Sequence, residues 1–223
     1  MKITELILED ELTELVGIKN KIKDLPQNPR RVAEYPLGLE WHKVLYDNGF
    51  RPLGSGSFGT VWDNYQLSYV LKVFSDTDIA YIEWIKASIQ HKDNPHMPHF
   101  VSPRAVRIVP GVVAIRTEKL TRISEDAYMM LKPMNALIEV ATIERIPPSE
   151  VIARRGDNWS SRFIPFIEYC KKYPDFIPAL DIVYGVVMRP GFRPDLHDEN
   201  IMMRGQVIVF SDPVFDKKAL TNR

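Results

Sequence analysis

Asp195 and Asn200 stand five residues apart in Asp195-Leu196-His197-Asp198-Glu199-Asn200, and twelve residues later Asp212 follows in Phe210-Ser211-Asp212-Pro213. An aspartate can orient and deprotonate an attacking hydroxyl, while an amide oxygen and a second carboxylate are hard ligands suited to Mg2+. Far upstream, Gly54-Ser55-Gly56-Ser57-Phe58-Gly59-Thr60-Val61 places three glycines between strand-like residues. Such a turn lets backbone approach phosphates closely, and Phe58 at its tip can cover them from water. Lys72, thirteen residues after Gly59 and central in Val70-Leu71-Lys72-Val73-Phe74, offers a cation to those phosphates. Glu83, in the helical segment that follows, is the candidate carboxylate to hold that lysine. These are the parts needed to move a phosphoryl group from ATP to a hydroxyl with Mg2+. Gly54, Ser55, Gly56, Ser57, Phe58, Gly59, Val61 and Lys72 are the expected nucleotide-binding residues. Asp195, Lys72 and Glu83 are the expected catalytic ones, and Asn200 and Asp212 the metal ligands.

Singly, each piece has an ordinary explanation: a Gly/Ser hairpin loop, an outward-facing strand lysine, a polar turn, a strand-ending Asp-Pro. Their order and spacing in one chain argue for the chemistry. His197 has no second histidine at a ligand spacing, since His91, His96 and His99 fall in one earlier loop. It reads as a residue that positions the loop or lies near phosphate.

The elements that must position these residues are legible as patterns. Residues 3 to 25 alternate apolar and charged residues near helical spacing up to Pro26, a polar connector follows to Pro36, and a second helix is expected around Leu39 to Tyr46. From Phe50 the pattern turns to short β-rich runs, 50–53, 60–62 and 69–74, joined as hairpins. Ser75-Asp76-Thr77-Asp78 can cap a helix in which Ile79, Ile82, Ile85 and Ile89 recur, and two more strands, 105–109 and 112–116, flank the Pro110-Gly111 turn. Helices are expected over 125–144, 160–172 and 176–187, then a hairpin of Ile201-Met202-Met203 and Val207-Ile208-Val209-Phe210 around Arg204-Gly205. This gives three parts: a helical extension over 1–38, a strand-rich lobe over 39–120, and a mainly helical lobe over 121–223.

Composition narrows the partners. The 223 residues are 45% hydrophobic and 26% charged, an ordinary globular balance, and 29 basic against 29 acidic residues leave no net field to hold nucleic acid or an anionic membrane. The start is acidic rather than signal-like, and no run approaches the roughly 20 apolar residues of a membrane span, so a soluble cytoplasmic protein is expected. The one cysteine, Cys170, suits a reducing compartment and reads as a small apolar residue near a helix.

The glycine turn fits the G-x-G-x-x-G-x-V pattern of protein kinases, with strands rather than a dinucleotide-type helix on either side. Taken with Asn48-Gly49-Phe50, Lys72-Val73, Asp195-Leu196-His197, Asn200-Ile201-Met202 and Ser211-Asp212-Pro213-Val214, the sequence resembles the early serine/threonine protein kinases of T7-like bacteriophages, over roughly residues 40 to 216. The resemblance implies an α+β, protein-kinase-like two-lobed fold with a small antiparallel β lobe and a reduced, mainly helical second lobe. It further implies a kinase that uses ATP and Mg2+ in the host bacterial cytoplasm. Host bacterial proteins, and the chain itself, would be its acceptors, in the service of host takeover through transcription or defence.

Two departures carry expectations. Pro194 stands where kinases place an arginine before the catalytic aspartate, which predicts activity independent of a phosphorylated activation loop. Only eleven residues follow Asp212, so the acceptor must be gripped by the N-terminal helices, by the 120–190 region, or by a second copy in a homodimer. Two other functions stay open: a small-molecule phosphotransferase, since aminoglycoside-kinase-like enzymes share the aspartate-x-histidine loop, and a kinase-shaped protein that acts by binding and inhibiting a host protein.

Overall fold

The computed structural model describes residues 39–55, 59–101, 105–109, 111–156 and 158–217. The helical extension expected over 1–38, the tip residues Gly56, Ser57 and Phe58, and Pro110 lie outside these described residues. The class is α+β, with antiparallel strands gathered early and helices dominating later. By contacts the described residues divide into two compact units, those within 1–78 and 99–119, and those within 79–98 and 120–223.

The first unit holds helix α1 (Leu39–Asp47) and strands β1 (Arg51–Ser55), β2 (Gly59–Asp63), β3 (Tyr69–Ser75), β4 (Val106–Val109) and β5 (Val112–Glu118). They form one antiparallel sheet in the order β1-β2-β3-β5-β4. Strand β2 shows why the sheet has two different faces. Thr60 and Trp62 are buried while Gly59, Val61 and Asp63 alternate with them as half-buried residues, the period-two pattern of a strand with one covered side. Helix α1 supplies the cover: the rings of His42 and Tyr46 lie 5.0 and 5.4 Å from that of Trp62, and Leu45 is fully buried. Gly49, at φ +83°, lets the chain reverse between α1 and β1, and the Asn64 amide secures the turn by donating to Asn48 O (3.2 Å). At the far end, Lys119 Nζ reaches Asp63 Oδ1 (2.6 Å) and Asn64 O (3.1 Å), tying the end of β5 to the β2–β3 turn.

The second unit contains α2 (Ile79–Gln90), β6 (Thr121–Arg122), α3 (Glu125–Tyr128), α4 (Leu131–Glu144), α5 (Pro148–Arg155), α6 (Ile164–Lys172), α7 (Phe176–Val187), and strands β7 (Phe192–Pro194), β8 (Ile201–Arg204), β9 (Val207–Phe210) and β10 (Val214–Asp216). Helix α7 is its axis. It buries Phe176, Ala179, Leu180, Val183, Val186 and Val187, a stripe at i, i+3, i+4, i+7 that packs against α2, α4, α5, β7 and β10. The single helix expected over 125–144 breaks after Tyr128. Pro133 explains the break, because it has no N–H for the carbonyl four residues back and its ring crowds that carbonyl. Pro148 opens α5 at its first position, where a missing N–H is harmless, and Ser149 N–H donates to Asp181 Oδ1 of α7 (2.9 Å).

Helix α2 sits with the later helices rather than with the strands around it in sequence. Its buried face is Tyr81, Trp84, Ile85 and Ser88; Ile82 joins it, but Ile79 is exposed, so the isoleucine periodicity only partly marks the packed side. Cys170 lies in α6, and burial pushes its thiol up to about 12, so it is a packing residue without thiolate character. Among the described residues, no helix is long and apolar enough to cross a membrane.

Candidate active site

In the first unit, cross-strand register does the positioning. Gly54 of β1 pairs with Val61 of β2, Val61 with Lys72 of β3, and Lys72 with Ile115 of β5. Directly opposed residues share a face, so Gly54, Val61 and Lys72 form one row across the sheet, on the side opposite Trp62 and Thr60. Lys72 is half-buried there, between fully buried Leu71 and Val73 on the other face. The two described glycines of the turn differ in purpose. A Cβ at Gly54 would meet nothing within 4 Å, whereas one at Gly59 would fall 2.6 Å from Val73 O and 3.0 Å from Phe74 Cβ. Gly59 is therefore required by the packing of β2 against β3, and Gly54 leaves open backbone.

In the second unit, the residues of the Asp195–Asn200 turn and of the Ser211–Pro213 turn are drawn together from both ends. Strands β7 and β10 pair antiparallel, Pro194 opposite Val214, and Asp195 N–H donates to Pro213 O (2.8 Å). At the other side, the Asn200 carbonyl accepts from Ser211 N–H (2.9 Å), Asp212 N–H (3.2 Å) and Ser211 Oγ (2.7 Å). The Asn200 side chain then closes the ring: its Nδ2 donates to Asp195 Oδ2 (2.9 Å) and Asp195 O (3.1 Å). Carboxylate and carbonyl can only accept, which fixes the amide with its nitrogen toward Asp195 and its oxygen turned away from it. From outside the turn, Asn135 of α4 donates to Leu196 O (2.8 Å).

Asp195 Oδ1 is the less engaged oxygen of its carboxylate, with His197 Nε2 3.5 Å away. Glu199 N–H donates to His197 Nδ1 (3.2 Å), and Asn200 Nδ2 lies 2.9 Å from His197 Nε2, so the ring is tied into the same turn from both sides. Burial raises the Asp195 pKa above the ordinary aspartate value; the nearby Asp212 charge adds to that rise, while His197 and the Asn200 hydrogen bond oppose it. A base whose pKa is raised is lost at a higher pH as the solution is acidified. The acid limb of a pH–rate profile governed by Asp195 is thus expected above the range of an ordinary aspartate. Removing the opposing influence of His197 with His197→Gln should move that limb to still higher pH, measured as kcat/KM against pH; an unmoved or lowered limb would contradict the electrostatic account.

The sequence-chosen residues therefore fall into two sets, each brought together within its own unit: Gly54, Val61 and Lys72 in one, Asp195, Asn200 and Asp212 in the other. Ser55 ends β1 and is exposed. Glu83 lies on α2, and its carboxylate is engaged within the second unit by Lys86 Nζ at Oε1 (2.7 Å) and by Arg189 at Oε2. Sequence reasoning overlooked Asn135 and the role of the Ser211 hydroxyl. Asn135 is exposed, outside the buried stripe of α4, so no pattern in the sequence marked it, and 61 residues separate it from the carbonyl it supports.

No protein-family model matches the sequence, and no curated protein matches it. Among solved structures the chain is similar to APH(2")-IIa in its ternary complex with streptomycin and ATP, at 18% identity over 82% of this chain and 74% of that one, with a TM-score of 0.33. A likeness that loose carries no argument about the site.

The donor set itself can be tested against Mg2+. Asn200 Oδ1 is an amide oxygen left over once Nδ2 is committed to Asp195, and the Asn200 carbonyl ties the backbone of Asp212 to the same residue. Hard oxygen donors, few in number, are what Mg2+ takes when phosphates and water complete its shell. Among the described residues there is no cluster of three or more His, Cys, Asp or Glu side chains that could hold a metal ion.

Proposed function

We propose that the chain is an ATP- and Mg2+-dependent phosphotransferase that acts on protein serine and threonine hydroxyls. The observation that carries this reading is the closed ring of Asp195, Asn200 and Asp212, in which one asparagine orients a carboxylate with its nitrogen and holds the metal-ligand aspartate with its carbonyl.

Bound at Asn200 and Asp212, Mg2+ would neutralise charge on the ATP phosphates that leave with ADP. The protein's own residues do the rest. Lys72, in one row with Gly54 and Val61, offers its ammonium to phosphate. Asp195 Oδ1 accepts the proton of the acceptor hydroxyl as the new oxygen–phosphorus bond forms and the bond to the departing ADP oxygen breaks. Asn200 keeps that carboxylate from turning, and His197 stabilises its ionised form.

The resemblance to phage kinases supports host bacterial proteins, and the chain itself, as acceptors. The deciding experiment incubates the purified full chain with γ-labelled ATP, Mg2+ and a bacterial lysate. Label is expected in protein bands, stable to conditions that spare phosphoserine and phosphothreonine. Label found only in small molecules would overturn the protein acceptor while keeping the transferase, and no transfer beyond the rate without the chain would overturn both.

A further inference from the structure

Strand β9 leads directly into Ser211 and Asp212, and among the described residues only one of its edges pairs with a strand, β8. The other edge is held by side chains and a loop. Ile208 N–H donates to Tyr169 Oη (2.7 Å), and Ile208 O accepts from His96 Nδ1 (2.7 Å). Two residues on, Phe210 N–H donates to His96 O (3.0 Å) and Phe210 O accepts from Trp84 Nε1 (3.1 Å). Every outward backbone group at Ile208 and Phe210 thus has a partner, drawn from α2, from the loop after it, and from α6.

His96 is an expensive way to make one of those bonds. Because a carbonyl only accepts, the ring must carry its proton on Nδ1, and Nε2 remains a buried acceptor without a hydrogen-bond partner among the rings of Tyr169, Tyr173 and Phe176. A buried unsatisfied polar atom is destabilising, and phenylalanine would fill the same aromatic surroundings without one. Burial, foremost, holds the His96 pKa below the ordinary histidine range, so the ring is a neutral donor. What an imidazole supplies that a phenyl ring cannot is the fixed position of Ile208.

We propose that His96, Tyr169 and Trp84 are positioning residues for the metal ligand Asp212, fixing the free edge of β9 so that the strand delivers Ser211 and Asp212 to the Asn200 carbonyl in one place. The inference rests on the assignment of Asn200 and Asp212 as metal ligands, and its test separates the two. Mn2+, a spectroscopic stand-in for Mg2+, is titrated into the full-length protein with ADP, and free Mn2+ is read by electron paramagnetic resonance. Wild type, Asp212→Asn, Tyr169→Phe, His96→Phe and His96→Asn are compared, with a melting curve for each.

Asp212→Asn should lose the site. Tyr169→Phe, which removes one oxygen atom, and His96→Phe should weaken Mn2+ binding by about 10-fold, the usual scale for a group that orients a metal ligand. His96→Asn, whose amide nitrogen can stand in for Nδ1, should bind more tightly than His96→Phe. If Tyr169→Phe and His96→Phe bind Mn2+ like wild type, even while melting earlier, the contacts are packing alone and the proposal fails with the metal site intact. If Asp212→Asn binds like wild type, the metal-ligand assignment fails and takes the proposal with it. Should His96→Phe not fold, Tyr169→Phe decides.

Discussion

Asp195→Ala should lower phosphoryl transfer by about 10²- to 10⁴-fold, the usual contribution of a positioned general base, while the KM for ATP changes little. Asp195 is the only carboxylate of the ring whose oxygens are directed by a neighbouring amide rather than assigned to metal, and its Oδ1 is the oxygen left for an acceptor proton. Alanine also removes the Asn200 Nδ2 bond to the carboxylate, leaving that amide only Asp195 O (3.1 Å) and His197 Nε2 (2.9 Å). Asp195→Asn is the cleaner companion, because its amide oxygen can still accept from Asn200 and only the basicity is lost. Both variants should fall together in kcat. The folded state already disfavours the ionised form of Asp195, since its pKa is raised by burial, so at neutral pH neutralising it with asparagine should not lower the melting temperature. Initial rates with protein acceptor and ATP varied separately, beside thermal melts, check each statement. A purified Asp195→Ala protein that transferred phosphate as fast as wild type would end the base assignment.

Phe176→Ala should destabilise the second unit by about 3–5 kcal/mol, the range for deleting a buried phenyl ring. Phe176 is fully buried at the start of α7, stacked on Phe210 with centroids 5.7 Å apart and planes 11° from parallel. Phe166, Tyr169 and His96 meet it edge-on at 5.9, 4.8 and 5.0 Å. Rings on several sides leave little that can move in to fill the void, which puts the expected loss in the upper part of that range. Because the chain forms two compact units, unfolding need not be a single transition, and urea melts should be followed by a probe within each. The expected result is an early transition of the unit that contains α7, with the sheet of the first unit less affected. A loss below about 1 kcal/mol would mean that the cluster repacks.

How far the sequence disclosed this site depended on whether the determining contacts were local. Asp195, Asn200 and Asp212 were legible because five and twelve residues is a short enough span for chemistry to constrain spacing directly. The strands around the glycine turn were legible from β-rich runs, and α7 from an apolar stripe that one helix carries by itself. The break in the 125–144 helix was foreshadowed by Pro133, whose effect is local, but a pattern of apolar residues outweighed it. Helix α5 was missed although Pro148 marks its first position.

Gly59 shows a subtler limit. It fits a phosphate-binding pattern, yet its lack of a side chain is demanded by Val73 O, so its presence would be the same in a hairpin that binds nothing. Glu83 was chosen by position after Lys72, but its surroundings include Lys86 three residues on and Arg189 more than a hundred residues away. The partners of His96, 112 residues distant at Ile208, and of Asn135 were out of reach for the same reason. Nothing in local periodicity records which remote carbonyl a side chain will find.

The pairing of β7 with β10 has a consequence for control. Pro194 and Val214 bracket the two turns that carry Asp195 and Asp212, and the Asp195 N–H to Pro213 O bond joins them again one step further in. The backbones of Asp195 and Asp212, the proposed base and metal ligand, are thereby tied to each other on both sides. A switch that silenced this protein by displacing one aspartate would first have to unzip a ladder and break the threefold grip of the Asn200 carbonyl. Inhibition by blocking access, through an occupant of the site or a covered acceptor surface, requires no such rupture and is the mode this chain would yield to most readily.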